Sequence, residues 1–320
     1  MAKKSSPYRI ILERCLAVRP GEILLIITDS KKRPMANRLL EEASSMVREA
    51  GIIEISDRKG DWEEAPDFAS SSLKKCNAAV ILTSKSLSHT KASKEATEVG
   101  VRIVSLPGAT EDVLNRSLDV DYASINKLNQ KLIELILKSQ TVTIQSPRGT
   151  NLKFRVDPER QVINDNGLYY KEGDIGTLPP GRILLAPVEG SSEGKVVIDG
   201  SILDQTVDSP IKLTVQNGRV TDVAGGKAAK KLQALIPTLG PETIGLCEFG
   251  IGTNLKAKIS GLTLEDEKSF GNCYVALGNN LGIGGRLFAR GRVSGTIKKP
   301  TIIFDKKKIL HNGKFLLGKI

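Results

Sequence analysis

The chain has 320 residues, of which 40% are hydrophobic and 4% aromatic, and its formal net charge is +11. This length allows one large domain or two ordinary ones, and no apolar run reaches the roughly 20 residues that a membrane-spanning helix needs. The basic N-terminus is not followed by an apolar signal core, so we expect a cytoplasmic protein without a membrane partner. Four widely spaced cysteines without a Cys-x-x-Cys pair argue against a zinc ribbon and indicate reduced thiols.

The positive charge has two interpretations, a polyanion partner or a lysine-rich solvated surface. The basic residues are scattered, with short runs at Lys230-Lys231, Lys298-Lys299 and Lys306-Lys307-Lys308. No aromatic residues interleave with these runs, as they would in a groove that binds single-stranded nucleic acid. We therefore rank nucleic acid last among the expected partners.

The first 138 residues alternate between strand and helix signals, which indicates βαβ units and a doubly wound parallel sheet. Continuous apolar runs predict buried strands, and helical periodicity that stops at glycine predicts helices. The predicted strands are 22–28, 52–56, 78–84 and 101–106, and the predicted helices are 34–50, 89–99 and 122–139.

From residue 139 to residue 320, short strands separated by turn residues predict a second, mostly β domain. Asn217-Gly218 is a strong hairpin signal, His311-Asn312-Gly313 marks a terminal hairpin, and a helix is predicted at 227–235. The predicted strands are 141–145, 152–156, 182–186, 195–199, 211–216, 219–223, 243–247, 273–277 and 301–304. The fold class is therefore α/β, with an N-terminal doubly wound α/β domain and a mostly β C-terminal domain.

Histidine is scarce, because the chain contains only His89 and His311. Catalytic zinc sites usually use more than one histidine. His89 lies where a predicted parallel strand passes into a helix, at the sheet edge that lines the ligand crevice of doubly wound folds. Ser86, Ser88 and His89 either bind an anion there together with helix N-terminal amides, or belong to a segment whose Ser and Thr residues cap the helix.

Two further motifs combine carboxylates with glycines. Glu248-Phe-Gly-Ile-Gly-Thr-Asn254 predicts a carboxylate at the end of an apolar strand, followed by a flexible glycine loop. It is either a site or a glycine bend beside a surface glutamate. The acidic cluster Glu265-Asp-Glu267 leads into a strand and a glycine-rich turn, but no Walker loop or dinucleotide fingerprint is present.

Together these motifs resemble the leucyl aminopeptidase family of the thermophilic aminopeptidase T type, to which the dihydroxypyridine ring-cleaving dioxygenases are related. The likeness covers nearly the whole chain. It rests on residues 15–29, 84–90, 106–108, 121–122, 178–190, 248–254 and 265–285. The resemblance implies an N-terminal α/β domain, a mostly β C-terminal domain that carries a divalent metal, a peptide or other small-molecule ligand, and a homodimer.

The resemblance also implies where the metal ligands lie, and most of those positions are altered here. Arg182 stands where the family has a glutamate, and Tyr274 stands where it has a histidine. Glu248 is retained. Arg292 and Ser294 align with the family's last His-x-Asp pair. One carboxylate therefore remains of the usual ligand set.

A guanidinium beside a divalent cation adds repulsion where ligand charge was needed, so we predict no zinc, no iron and no other cofactor in the inherited position. One hypothesis is a small anionic ligand bound by Arg182, Arg292 and Ser294, with Glu248 as base and Tyr274 as hydrogen-bond donor. In a second form of this hypothesis Glu248 pairs with an arginine and the protein is catalytically silent. The alternative is a metal-dependent aminopeptidase that uses substitute ligands such as the acidic cluster.

Overall fold

The computed structural model describes residues 5–61 and 63–317. Its strands are β1 (Ile23–Asp29), β2 (Glu49–Ile55), β3 (Ala78–Leu82), β4 (Arg102–Ser105), β5 (Thr141–Gln145), β6 (Asn151–Arg155), β7 (Ile163–Asp165), β8 (Ile175–Thr177), β9 (Arg182–Leu185), β10 (Glu193–Ile198), β11 (Ser201–Ile202), β12 (Gln205–Thr206), β13 (Ile211–Gln216), β14 (Arg219–Ala224), β15 (Leu246–Gly252), β16 (Cys273–Gly278), β17 (Arg292–Ile297), β18 (Thr301–Phe304), β19 (Lys307–His311) and β20 (Lys314–Phe315). The α-helices are α1 (Pro7–Ile10), α2 (Arg33–Ala43), α3 (Asp67–Leu73), α4 (Lys91–Glu98), α5 (Glu111–Ser117), α6 (Tyr122–Leu137), α7 (Lys227–Leu239) and α8 (Thr263–Asp266).

The first compact unit comprises Met1–Tyr122 and Gly167–Pro180. Its parallel sheet has the strand order β2-β1-β3-β4-β8. Strand β3 is buried along its whole length, as its apolar sequence predicts for a strand covered on both faces. The doubly wound α/β region expected from the sequence is therefore confirmed. Within the described residues, no helix is long and apolar enough to cross a membrane.

One predicted helix in this unit is too long. Periodicity predicted a helix over residues 34–50, but α2 ends at Ala43 and β2 begins at Glu49. Seven residues of β2 pair in parallel with β1, from Glu49 opposite Ile23 to Ile55 opposite Asp29. Sheet pairing here overrides the local helical pattern.

The second compact unit comprises Ala123–Asn166 and Gly181–Ile320. An eight-stranded sheet and a seven-stranded sheet share one apolar core, in which the rings of Phe154 and Phe249 lie 5.3 Å apart. Helix α6 contributes Leu128, Leu132 and Ile136 to the same core. This is the mostly β region expected from the sequence.

The border between the units differs from the predicted one at residue 138. Most of α6 belongs to the second unit because its apolar side chains join that unit's core. Residues 167–180 return to the first unit because β8 pairs with β4 there. All four cysteines are free and buried.

Candidate functional site

One face of the seven-stranded sheet carries a cluster of charged side chains. The other face of this sheet contributes Phe249, Ile251 and Val275 to the shared core. Because side chains alternate along a strand, the intervening residues point away from that core. The cluster, called the ion network below, consists of Asp165, Arg182, Glu248, Glu267, Lys268, Tyr274 and Arg292.

A β-bulge directs Glu248 into the ion network. Leu246 lies opposite Leu277, but Glu248 lies opposite Ala276, so the register shifts between these two positions. Without the shift, Glu248 would share the core-facing side with Leu246. The extra residue turns the carboxylate to the opposite face, a use of bulges that recurs next to functional sites.

Gly250 makes room for the ring of Tyr274. The two residues lie opposite each other on β15 and β16, and a Cβ atom built on Gly250 would lie 2.4 Å from the tyrosine ring. The predicted flexible glycine loop after Glu248 is therefore wrong, because Gly250 and Gly252 both belong to β15. Glycine here serves the close packing of an aromatic ring rather than chain flexibility.

Arg292 holds two carboxylates at once. Its Nε donates to Glu248 Oε2 at 2.7 Å, and its Nη2 donates to Glu248 Oε1 at 2.7 Å and to Glu267 Oε1 at 2.8 Å. Tyr274 donates its hydroxyl to Glu248 Oε1 at 2.6 Å. Both oxygens of the retained glutamate are thus engaged, one pair of contacts being the bidentate arrangement typical of strong arginine–carboxylate pairs.

Arg182 occupies the centre of the network. Its Nε donates to Asp165 Oδ2 at 2.8 Å, and its Nη1 donates to Glu267 and, at 3.4 Å, to the Tyr274 hydroxyl. Lys268 Nζ lies 3.7 Å from Asp165 Oδ2. The guanidinium groups of Arg182 and Arg292 also lie 5.9 and 5.4 Å from the centre of the Tyr274 ring, within cation–π range.

Burial and neighbouring charges shift the pKa values of Glu267, Lys268 and Tyr274. Burial raises the pKa of Glu267, but Arg292 and Arg182 outweigh it and hold this pKa down at about 2. Burial and Arg182 lower the pKa of Lys268 to about 8, against the opposing influence of Asp165. Burial raises the pKa of Tyr274 well above its usual value, so the tyrosine stays a proton donor.

The network is balanced in charge. Arg182, Arg292 and Lys268 face the carboxylates of Asp165, Glu248 and Glu267. The guanidinium groups of Arg182 and Arg292, expected from the sequence to bind a small anionic ligand, are therefore already paired with carboxylates of the chain. Sequence reasoning missed Asp165 and Lys268, which lack a local motif, and considered Glu267 only as a substitute metal ligand.

Ser294 lies on β17, whose residues alternate between the two faces of the sheet. Its hydroxyl is buried and forms no hydrogen bond in good geometry among the described residues. It nevertheless contributes to the low pKa of Glu267. Strand β17 was missed by the sequence reasoning. The alternation in Arg292-Val-Ser-Gly-Thr-Ile297 was the signal that could have identified it.

The acidic cluster does not assemble as one site. Asp266 accepts the backbone amides of Ser260 at 2.7 Å and Gly261 at 3.1 Å, whereas Glu267 faces the arginines. Burial raises the pKa of Asp266 to about 6. Over residues 5–61 and 63–317, no group of three or more His, Cys, Asp or Glu side chains is arranged to hold a metal ion.

The segment with His89 belongs to the first unit and is not part of the ion network. His89 is exposed on the turn before α4. The first amides of α4 are occupied, since Lys91 N donates to Glu64 Oε1 at 2.7 Å and Ser93 N donates to the hydroxyl of Thr90 at 3.3 Å. Of the two interpretations of this segment, the geometry matches helix capping, with a carboxylate of the chain itself where an anion was considered.

A family model for 2,5-dihydroxypyridine 5,6-dioxygenase (NicX) matches residues 5–317. The chain belongs to this family. Among solved structures, it is similar to 2,5-dihydroxypyridine dioxygenase from Pseudomonas putida KT2440, with a TM-score of 0.83, 18% identity and coverage of 98% of both chains.

Wild-type AmpT from Thermus thermophilus is also similar, with a TM-score of 0.68, 13% identity and coverage of 97% of this chain and 99% of that one. Identities this low establish the fold alone, so the aminopeptidase relation expected from the sequence is supported at the level of the fold. No curated protein matched in a sequence search.

Proposed function

We propose that this chain is a metal-independent member of the dioxygenase family, catalytically silent in the family's metal-dependent chemistry, in which the ion network stabilises the sheet face that the resemblance assigns to the metal. The observation that carries the proposal is the engagement of Glu248. Its two oxygens accept three hydrogen bonds, two from Arg292 and one from Tyr274. A metal ion would have to displace these donors to reach the carboxylate.

The donor set also argues against a metal. A divalent cation prefers anionic or neutral oxygen and nitrogen donors, whereas the face beside Glu248 presents two guanidinium groups that remain charged at every relevant pH. A metal ion in the place of either guanidinium could not donate the hydrogen bonds that the carboxylates of the network accept. The residues therefore do not fit the metal that a dioxygenase or an aminopeptidase of this fold would use.

The same contacts limit acid–base chemistry. Arg292 and Tyr274 both donate hydrogen bonds to the Glu248 carboxylate. A general base must release these donors before it accepts a proton from a ligand, and Tyr274 is fully buried. Glu248 and Tyr274, named from the sequence as catalytic candidates, are better suited to holding Arg292 than to proton transfer.

A second candidate function rests on the exposure of Arg292, whose side chain is 23% accessible. Its Nε and Nη2 bind carboxylates, and its Nη1 has no partner among the described residues. A small carboxylate could accept a hydrogen bond from Nη1 at the edge of the network. Calorimetric titration with benzoate and with inorganic phosphate, on the parent protein and on Arg292→Met, tests this candidate.

The main proposal is tested by turnover. The purified protein is assayed with 2,5-dihydroxypyridine and ferrous iron under air, and with aminoacyl amides and zinc, manganese or cobalt. We expect no turnover in either assay, with the Pseudomonas enzyme as positive control for the first. Metal-dependent turnover that disappears in Glu248→Gln would overturn the proposal and favour the metallo-enzyme with substitute ligands.

A matched variant tests whether the replaced residues are the cause. The combination Arg182→Glu, Tyr274→His, Arg292→His and Ser294→Asp restores the ligand types that the resemblance implies. We expect this variant to bind a divalent ion that the parent protein does not bind. The homodimer implied by the resemblance is a separate proposal, tested by sedimentation equilibrium.

A further inference from the structure

The segment from Arg286 to Arg290 presents an aromatic ring between two cationic side chains. Arg286, Phe288 and Arg290 are exposed, whereas Leu287 is half-buried and Ala289 is buried. The three exposed side chains therefore face solvent, whereas the two residues between them pack against the protein. Phe288 is 67% accessible, which makes it one of the most exposed large apolar residues in the described part of the chain.

The two guanidinium groups are available for a ligand. Within residues 5–61 and 63–317, neither Arg286 nor Arg290 forms a side-chain hydrogen bond or an ion pair. Glu189, which accepts the backbone amide of Arg286 at 2.8 Å, is already paired with Arg160 at 2.6 Å. The positive charge of the segment is therefore not neutralised locally.

The backbone of the segment is held in place, so these side chains project from a fixed support. Leu287 N donates to Asn280 Oδ1 at 2.7 Å, Arg290 N donates to the Leu239 carbonyl at 3.1 Å, and Asn279 Nδ2 donates to the Ala289 carbonyl at 2.9 Å. A surface that is ordered before binding loses less entropy when a ligand arrives.

We propose that the Arg286–Arg290 segment binds single-stranded nucleic acid, with the two arginines on phosphates and a base stacked on Phe288. Every base has a face that stacks on an aromatic ring, and unpaired arginines on either side supply the backbone contacts. The net charge of +11 attracts a polyanion over longer distances. An acidic peptide would use the arginines but would leave the exposed ring without a matching partner.

This surface reverses an argument made from the sequence, where no aromatic residue was found between the lysine runs. Phe288 lies instead between arginines, and its exposure is evident only once Leu287 and Ala289 are seen to point inward. The inference does not depend on the state of the ion network.

The test is fluorescence anisotropy with short labelled oligothymidylate and oligouridylate over a range of KCl concentrations. Arg286→Ala/Arg290→Ala should reduce the slope of log K against log salt by about 1.4, because each phosphate contact on a single strand contributes about 0.7. Phe288→Ala should weaken binding by about fivefold to about 150-fold without changing that slope. The affinity for duplex DNA should not change in Phe288→Ala, because the bases of a duplex are already stacked on one another.

The controls match charge and aromaticity at other exposed positions. Lys306→Ala/Lys307→Ala removes two positive charges, one from the turn after β18 and one from the first residue of β19, and Phe68→Ala removes the ring of a residue that is 58% exposed. The proposal is overturned if the parent protein does not bind either oligonucleotide, or if the lysine control lowers the salt slope as much as the arginine variant. Displacement by polyglutamate that depends on Phe288 would also overturn it and would indicate an acidic protein partner.

Discussion

Removing Arg292 should leave Glu248 and Glu267 without their shared counter-ion. The side chain makes three charge-assisted hydrogen bonds of 2.7 to 2.8 Å to these carboxylates, which are 5% and 4% exposed. Breaking a buried ion pair by deleting one partner costs roughly 3–5 kcal/mol. Because Arg292 is itself 23% exposed, water can reach the vacated position, and we expect Arg292→Met to lose about 3 kcal/mol of unfolding free energy.

The double variant Arg292→Met/Glu248→Gln isolates the ionic part of this loss. It removes one charge of each sign and retains an acceptor for the Tyr274 hydroxyl. We expect the two substitutions to be coupled by about 2 kcal/mol, so that the double variant is more stable than the sum of the singles predicts. Urea unfolding followed by far-ultraviolet circular dichroism measures both quantities at pH 7. A loss below about 1 kcal/mol together with additive effects would refute the ion network as a stabilising element.

Three further predictions concern neighbouring residues. The Glu267 pKa of about 2 lies below its unfolded value of 4.5, so the parent protein should lose stability relative to Glu267→Gln as pH falls from 4.5 towards 2. The Lys268 pKa of about 8 lies below its unfolded value of 10.5, so the parent protein should gain up to about 3 kcal/mol relative to Lys268→Met as pH rises between these values. Gly250→Ala should lower the free energy of unfolding by about 1–3 kcal/mol, because the added methyl group would contact the Tyr274 ring. Gly51→Ala should not lower it, because a Cβ atom there meets nothing within 4 Å.

A specific result would refute each of these three predictions. Parallel acid-unfolding curves for the parent protein and Glu267→Gln would mean that the arginines do not hold this carboxylate ionised. A pH-independent difference between the parent protein and Lys268→Met would place the ammonium group in water rather than in the network. Equal melting temperatures for the two alanine variants would show that the tyrosine ring does not lie against Gly250.

Regular elements with strong local patterns could be predicted from the sequence. Strands β5, β13 and β18 have the bounds that their alternation or apolar runs predict, and the hairpin at Asn217-Gly218 joins β13 and β14. Elements whose conformation depends on a distant partner were not predictable in the same way. The strand predicted at 52–56 starts earlier, at Glu49, because residues 49–51 also pair with β1, and residues 175–177 become β8 because they pair with β4.

The residues of the candidate site were also only partly predictable from the sequence. Comparison with the family identified Arg182, Glu248, Tyr274 and Arg292, and the structure brings these four together. The charge balance could not be predicted, because Asp165 precedes Arg182 by 17 residues and reaches it only through the pairing of β7 with β9. The bulge that turns Glu248 away from the core also leaves no mark in the local sequence.

We propose that the guanidinium groups of Arg182 and Arg292 take the place of a metal on this sheet face. Elemental analysis of the protein, purified without chelators and supplied with iron, zinc and manganese during expression, tests it most directly. We predict far less than one equivalent of any divalent transition metal per chain, and no change in that content for Glu248→Gln. One equivalent of metal in the parent protein that is lost in Glu248→Gln would contradict the account.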